Sequence, residues 1–301
     1  MNSKNFEGVM APVFIPLDEK EQVITEDLAK LSHMLVEKGI KGILVPSGTG
    51  EFFNLTAEQR KRAVEAVAQA VKGKAIIISL VTDCSTRNVL EHVENAVQAG
   101  ADAVMTDPPY YMPINQKNLK RFFKAVADES PVPSWLYNQP GQTKVNIEPQ
   151  TVSELAEHPN IVGIKASSWV DVFSFQQLLR AVRDKPDFRV LMGEEINNLS
   201  GLILGGHGMI NVMANIIPEV CVAQWNAIKN RDIDTARKLQ DRITDLVDLF
   251  YFGLESWQGG AKYVLRKRGI FSTTIVSSPL HTLTEEDVQK IESKANDLKL
   301  F

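Results

Sequence analysis

Short apolar runs alternate with longer amphipathic segments along most of this chain. The apolar runs cover residues 8–17, 42–46, 75–81, 103–106, 134–138, 161–166, 189–193 and 209–212. Each has strand length and is rich in Val, Ile or Leu. Strands covered on both faces read as continuous apolar runs rather than as alternation. The segments between them carry helical spacing. Thr25 stands before Asp27, with an apolar stripe at Leu28, Leu31 and Leu35, so the pattern predicts a helix capped at Thr25 and closed by Lys38 and Gly39. Residues 56–71 repeat the plan with Glu58 in the first turn and Gly73 past the end, and 86–99 end at Gly100. Strands alternating with helices predict a parallel α/β sheet, and eight of them predict closure into a (β/α)8 TIM barrel. An open doubly wound sheet is the alternative that strand order alone leaves standing.

Beyond residue 230 the apolar runs lose strand character. Residues 232–252, 259–267 and 285–299 read as helices. The expected organisation is therefore a barrel over 1–230 that holds the active site and a C-terminal helical domain over 231–301. No Pro-, Gly- or Ser-rich linker separates them, so the second is expected to pack on the first.

Composition narrows the function. The chain has 301 residues, 44% hydrophobic and 23% charged, as in an ordinary soluble globular protein. Its formal net charge is −4 and no stretch is strongly basic. The cations from Lys262 to Arg268 read as one helix end, which argues against nucleic acid as a partner. No apolar run reaches membrane-spanning length and no secretory signal opens the chain, so no membrane partner is expected. Cys84 and Cys221 lie far apart, outside any metal spacing, and read as buried small residues rather than as a bridge. Together these features point to the cytoplasm. The five histidines show no HxH or HExxH spacing, so no metal is expected.

In a barrel of this kind the active site lies at the C-terminal ends of the strands. Lys165 closes an apolar run there. Burying an ammonium group is costly, so its pKa should fall, and a neutral amine is what attacks a ketone. A lysine that merely ends a strand with its amine in solvent is the rival reading. Tyr137 and Tyr111 end two other strands and could carry protons beside an imine, though either could equally be an amphipathic cap. Gly48, Thr49 and Gly50 offer amides and a hydroxyl that suit a small carboxylate. That turn has neither GxGxxG nor P-loop spacing, so a nucleotide is not indicated. Gly193 ends the seventh run and Glu195 follows it, and Glu195 could bind a substrate hydroxyl. Glu194 reads as structural, because acids favour a first helical turn for dipole reasons alone.

These motifs, taken in order, resemble the family of dihydrodipicolinate synthase and N-acetylneuraminate lyase. They are Gly-Thr-Gly-Glu at 48–51, Pro-Tyr-Tyr at 109–111, Tyr-Asn-Gln-Pro-Gly at 137–141, Gly-Ile-Lys at 163–165 and Gly-Gly-His-Gly at 205–208. The resemblance covers nearly the whole chain. It implies a homo-oligomer, tetramer or dimer, that needs no cofactor and acts on a small 2-keto acid such as pyruvate. It implies that Lys165 forms the imine and that Tyr137 relays the proton. Tyr111 would reach into the neighbouring subunit's site. Thr49 and the adjacent amides would hold the keto-acid carboxylate, and Ile210 would line the same site.

Two departures bear on the substrate. The synthases carry two threonines in the glycine turn, where this chain has Gly48, so the hydroxyl that links the two tyrosines is missing. They also carry an arginine where this chain has Gln142, and a glutamine supplies neither the charge nor the bidentate fork. Such a loss costs roughly 1.5–3 kcal/mol, about tenfold to a hundredfold in binding. The expected activity is therefore aldol cleavage or condensation through Lys165, with a deoxy-keto sugar acid favoured over aspartate semialdehyde. The alternatives are dihydrodipicolinate synthase itself, a ketodeoxyglucarate dehydratase-like enzyme suggested by Glu-Phe-Phe at 51–53, and a non-catalytic keto-acid-binding paralogue.

Overall fold

The computed structural model describes residues 6–167 and 171–301. Eight parallel strands close into a barrel in sequence order. They are β1 (Gly8–Pro12), β2 (Gly42–Leu44), β3 (Ile76–Leu80), β4 (Ala103–Thr106), β5 (Ser134–Asn138), β6 (Ile161–Ala166), β7 (Arg189–Met192) and β8 (Gly208–Ile210). The helices are α1 (Thr25–Glu37), α2 (Ala57–Val71), α3 (Thr86–Gln98), α4 (Gln116–Glu129), α5 (Pro140–Thr143), α6 (Pro149–Leu155), α7 (Val172–Ala181), α8 (Asn198–Ile203), α9 (Pro218–Lys229), α10 (Ile233–Val247), α11 (Trp257–Lys267) and α12 (Glu285–Lys294). The closed barrel excludes the open sheet, because β1 pairs with β8 through Gly8–Gly208 and Met10–Ile210.

Strand parity sorts the core into two layers. Met105, Trp135, Tyr137, Leu191 and Ile210 point into the barrel, while Val104, Leu136, Ile164, Val190 and Met209 face the helices. This is the period-two alternation of a strand, hidden in the sequence because both faces are apolar. Phe6 meets Trp135 edge to face at 5.3 Å and fills the interior. Gly163 lies beside that indole: a Cβ there would stand 2.3 Å from Trp135 and 2.6 Å from the Arg189 carbonyl.

Several expected boundaries move. β1 ends at Pro12 rather than at residue 17, although Val13, Phe14, Ile15 and Leu17 stay buried. Their side chains pack, with Phe14 meeting Trp257 of α11 at 5.9 Å, while Leu17 makes only an isolated antiparallel bridge to Val23. Thr25 is the first residue of α1, and its N-cap is Ile24 without a side-chain bond. Thr56 does cap α2, in a reciprocal capping box with Gln59. Gly39 takes the left-handed φ of +91° expected of a helix terminator. Cys221 is buried but Cys84 is exposed, because it opens the loop before α3 rather than facing the core.

Apolar residues of the C-terminal helices, including Ile243, Val264 and Ile291, join the same core as the barrel's outer face. No helix among the described residues is long and apolar enough to cross a membrane.

Candidate active site

The strand ends open into a cavity of about 900 Å³. Register places its centre. Tyr137 and Lys165 are directly paired across β5 and β6. Both share the inward parity of Trp135, so both side chains enter the barrel mouth. The Lys165 ammonium nitrogen donates to the Tyr137 hydroxyl at 2.7 Å. Lys165 is only 4% exposed. Burial is the main reason that its pKa drops to about 8, against the opposing pull of Glu195, Asp107 and Glu194. Burial, with the Asp107 charge, pushes the Tyr137 phenol well above its usual range.

Other residues singled out from the sequence gather around this pair. Gly48, Thr49, Gln142, Gly193, Glu195 and Ile210 all line the cavity. Gly193 is required there: a Cβ would stand 1.8 Å from Ser167 Oγ and 2.8 Å from Lys165 Cε. Glu195 is buried and accepts the Val212 amide at 2.6 Å and the Tyr251 hydroxyl at 3.4 Å. Desolvation raises its pKa to about 7. Glu194 lines the cavity too, directly before the Glu195–Asn197 turn. Gly48 has open space where a side chain would begin.

Gly50 and Tyr111 stand apart. Gly50 turns inward, where a Cβ would meet the Val13 carbonyl at 2.9 Å, and its amide is taken by Ser47 Oγ. Its glycine serves close packing beneath the turn. Tyr111 is 81% exposed, and Tyr110 lines the cavity in its place.

Three features were not foreseen. Asp107 is buried at the end of β4 and lines the cavity. Its Oδ2 accepts from the Thr82 hydroxyl at 2.9 Å. Burial raises its pKa to about 7, partly offset by Thr82, Gln139 and Lys165. An acid closing the apolar run 103–106 was a readable signal. Tyr251, in the π-helical segment Asp248–Gly253, and Trp257, the first residue of α11, line the cavity. Nothing local in the sequence marks them.

The third is the anchor of the glycine turn. Glu51 sits in the left-handed region at φ 62° and is fully buried. Its Oε1 accepts from Lys262 of α11 at 2.6 Å, and its Oε2 accepts the Ser277 amide and hydroxyl at 2.6 Å each. Lys262 therefore belongs to a buried pair rather than to a solvated helix end. Among the described residues no cluster of His, Cys, Asp and Glu could hold a metal ion.

The comparisons agree with this geometry. The model of the dihydrodipicolinate synthetase family matches residues 5–298. A 4-hydroxy-tetrahydrodipicolinate synthase of Gluconobacter oxydans is 32% identical over 296 residues, covering 98% of each chain. One from Thermodesulfovibrio yellowstonii is 36% identical over 241 residues, 80% of this chain and 81% of that one. A crystal structure of a prophage protein of the dihydrodipicolinic acid synthase family from E. coli K12, in complex with pyruvate, superposes with a TM-score of 0.92 at 27% identity, covering 98% of this chain and 99% of that one. A buried lysine paired with a strand-end tyrosine in a closed barrel, and a family match that runs almost end to end, lead to one conclusion: this chain belongs to the dihydrodipicolinate synthetase family.

Proposed function

We propose that the chain is a lysine-dependent lyase or aldolase that acts on pyruvate or a related 2-keto acid through an imine on Lys165. The observation that carries the reading is the buried Lys165 amine, 2.7 Å from the Tyr137 hydroxyl. With a pKa near 8, an appreciable fraction of this amine is neutral at physiological pH. It adds to the ketone carbon, and the carbinolamine loses water to give the imine. Loss of a C3 proton then leaves an enamine. In the synthetic direction C3 bonds to an aldehyde carbon, and the aldehyde oxygen takes a proton. Water then adds to the imine and frees the product and the amine. Cleavage runs the same steps in reverse. Tyr137 is the group we assign to the proton transfers, being both within reach of Nζ and held protonated.

Thr49 and the Gly48 backbone are assigned to the keto-acid carboxylate, with Ile210 and Gly193 lining the same cavity, and Glu195 to a substrate hydroxyl. Tyr111 is assigned to a neighbouring copy's site in a homo-oligomer, which its exposure beside the exposed Met112 favours. A second reading is a 4-hydroxy-tetrahydrodipicolinate synthase, the name the relatives carry, with aspartate semialdehyde as the second substrate. Gln142, exposed at the cavity wall without a guanidinium, weighs against it.

Borohydride reduction in the presence of pyruvate, followed by peptide mass spectrometry, tests the mechanism. The expected result is a reduced pyruvate adduct on Lys165, absent in Lys165→Ala together with turnover. Normal turnover in Lys165→Ala would overturn the reading.

A further inference from the structure

We propose that Gln240 of α10 is a positioning residue for the reaction: through a network of buried side-chain amides it holds Glu195 in place near Lys165. This rests on the reading that Lys165 forms the imine, and it names a residue behind the cavity that acts on that lysine through another.

The network joins four elements. Asn198 at the start of α8, Asn211 directly after β8 and Gln224 of α9 are fully buried, and Gln240 is 8% exposed. Asn198 Nδ2 donates to Asn211 Oδ1 at 2.7 Å and to Gln224 Oε1 at 3.4 Å. Gln224 Nε2 donates to Gln240 Oε1 at 2.9 Å. The same Oε1 accepts the Leu199 amide at 3.2 Å, an N–H of the first turn of α8 with no carbonyl inside that helix to meet it. Gln240 Nε2 then donates to the Glu195 carbonyl at 2.9 Å. A side chain at 240 that could not bond would leave donors and an acceptor unmet on three neighbouring segments.

The network has a consequence at the site. Glu195 opens the single turn Glu195–Asn197, whose start has no side-chain cap. Its carboxylate is held by the Val212 amide at 2.6 Å and the Tyr251 hydroxyl at 3.4 Å, while Gln240 holds its backbone. The titratable groups that act on Lys165 are Tyr137 of β5, Asp107 after β4, and Glu194 and Glu195 after β7, and Asp171 before α7 lines the same cavity. Tyr251 and the buried Cys221 thiol of α9 are the further groups coupled to Glu195. Of the three carboxylates that favour the Lys165 ammonium, Glu195 does so most. Displacing it therefore frees the amine at lower pH.

The experiment follows reductive trapping of pyruvate across pH 6 to 10 on the purified full chain, Gln240→Met, Glu195→Gln and the double variant. The unaltered midpoint is expected near 8. In Glu195→Gln it should fall by about one pH unit, and in Gln240→Met by about half a unit or more. The double variant should lie no lower than Glu195→Gln alone, since no carboxylate remains to be displaced. Lost stability alone does not move a midpoint. A midpoint that stays or rises in either single variant overturns the proposal, as does a further fall in the double variant. Hydrogen exchange on the unaltered chain keeps the test open if Gln240→Met does not fold: the Leu199 amide should exchange slowly, and exchange at the rate of an open chain overturns the network itself. An adduct with an unmoved midpoint sinks this inference alone, and no adduct on the unaltered chain sinks the imine reading beneath it.

Discussion

Lys165 shows how one residue's environment becomes a pH profile. Its amine attacks only when neutral, and burial brings its pKa down to about 8. Below that value most of the amine is protonated. The rate of imine formation should therefore climb as pH rises through about 8 and then level off. Trapping rates with pyruvate across pH 6 to 10 check this, and a rate still climbing past pH 10 would mean a solvated lysine instead. Gly193 makes the geometric counterpart. Its Cα faces Lys165 Cε, Ser167 Oγ and the Ala166 carbonyl, the last 2.9 Å from an added Cβ. Ser167 can rotate away but the carbonyl cannot, so Gly193→Ala should displace the lysine. A shift of about 1 Å in a reacting group can cost about a hundredfold in rate. Steady-state kinetics on a variant with an unchanged melting temperature would isolate that effect.

Elements place these residues by two devices. One is strand parity. Tyr137 and Lys165 are register partners on neighbouring strands, so a one-residue slip of β6 would send the lysine into the helical layer. Gly163 supports that register by leaving room for Trp135, which reaches across the interior. The other device is helix termination. Thr56 and Gln59 satisfy each other's backbone donors at the start of α2, directly after the glycine turn and the Phe52–Asn54 single turn. Thr56→Ala should remove about 1 kcal/mol of stability. In a chain of this size that is roughly a 2 °C fall in Tm, measurable by calorimetry, with kcat unaltered.

At the scale of the whole molecule, the C-terminal helices are part of the site. Tyr251 and Trp257 line the cavity, and Lys262 reaches Glu51 across 211 residues of sequence. That pair is fully buried, so removing one partner leaves a charge with nothing to balance it. Lys262→Met should cost about 3–5 kcal/mol in a urea titration. Adding Glu51→Gln should recover a large part, because a neutral amide beside a methionine carries no unpaired charge. If Lys262→Met alone were neutral, the turn would owe its shape to Ser277 and to backbone packing instead. The same variant should weaken pyruvate trapping, since Gly48 and Thr49 lie in the turn that Glu51 anchors.

The eight strands, their order and the positions of Lys165, Tyr137, Thr49 and Ile210 at or beside strand ends were legible in the sequence, because apolar runs, helix caps and glycine punctuation are local signals. The family was legible as well, since its motifs are short and contiguous. What the sequence left open was set by parity and by distance. Barrel closure depends on β1 meeting β8, whose partners Gly8 and Gly208 are 200 residues apart. An apolar run hides which of its residues face inward, so the pairing of Lys165 with Tyr137 emerges only from register. Asp107, Tyr251 and the Glu51–Lys262 pair were missed for the same physical reason. A carboxyl, a phenol and an ammonium each read as solvated in isolation, and only the folded chain removes their water and decides which of them receives a partner.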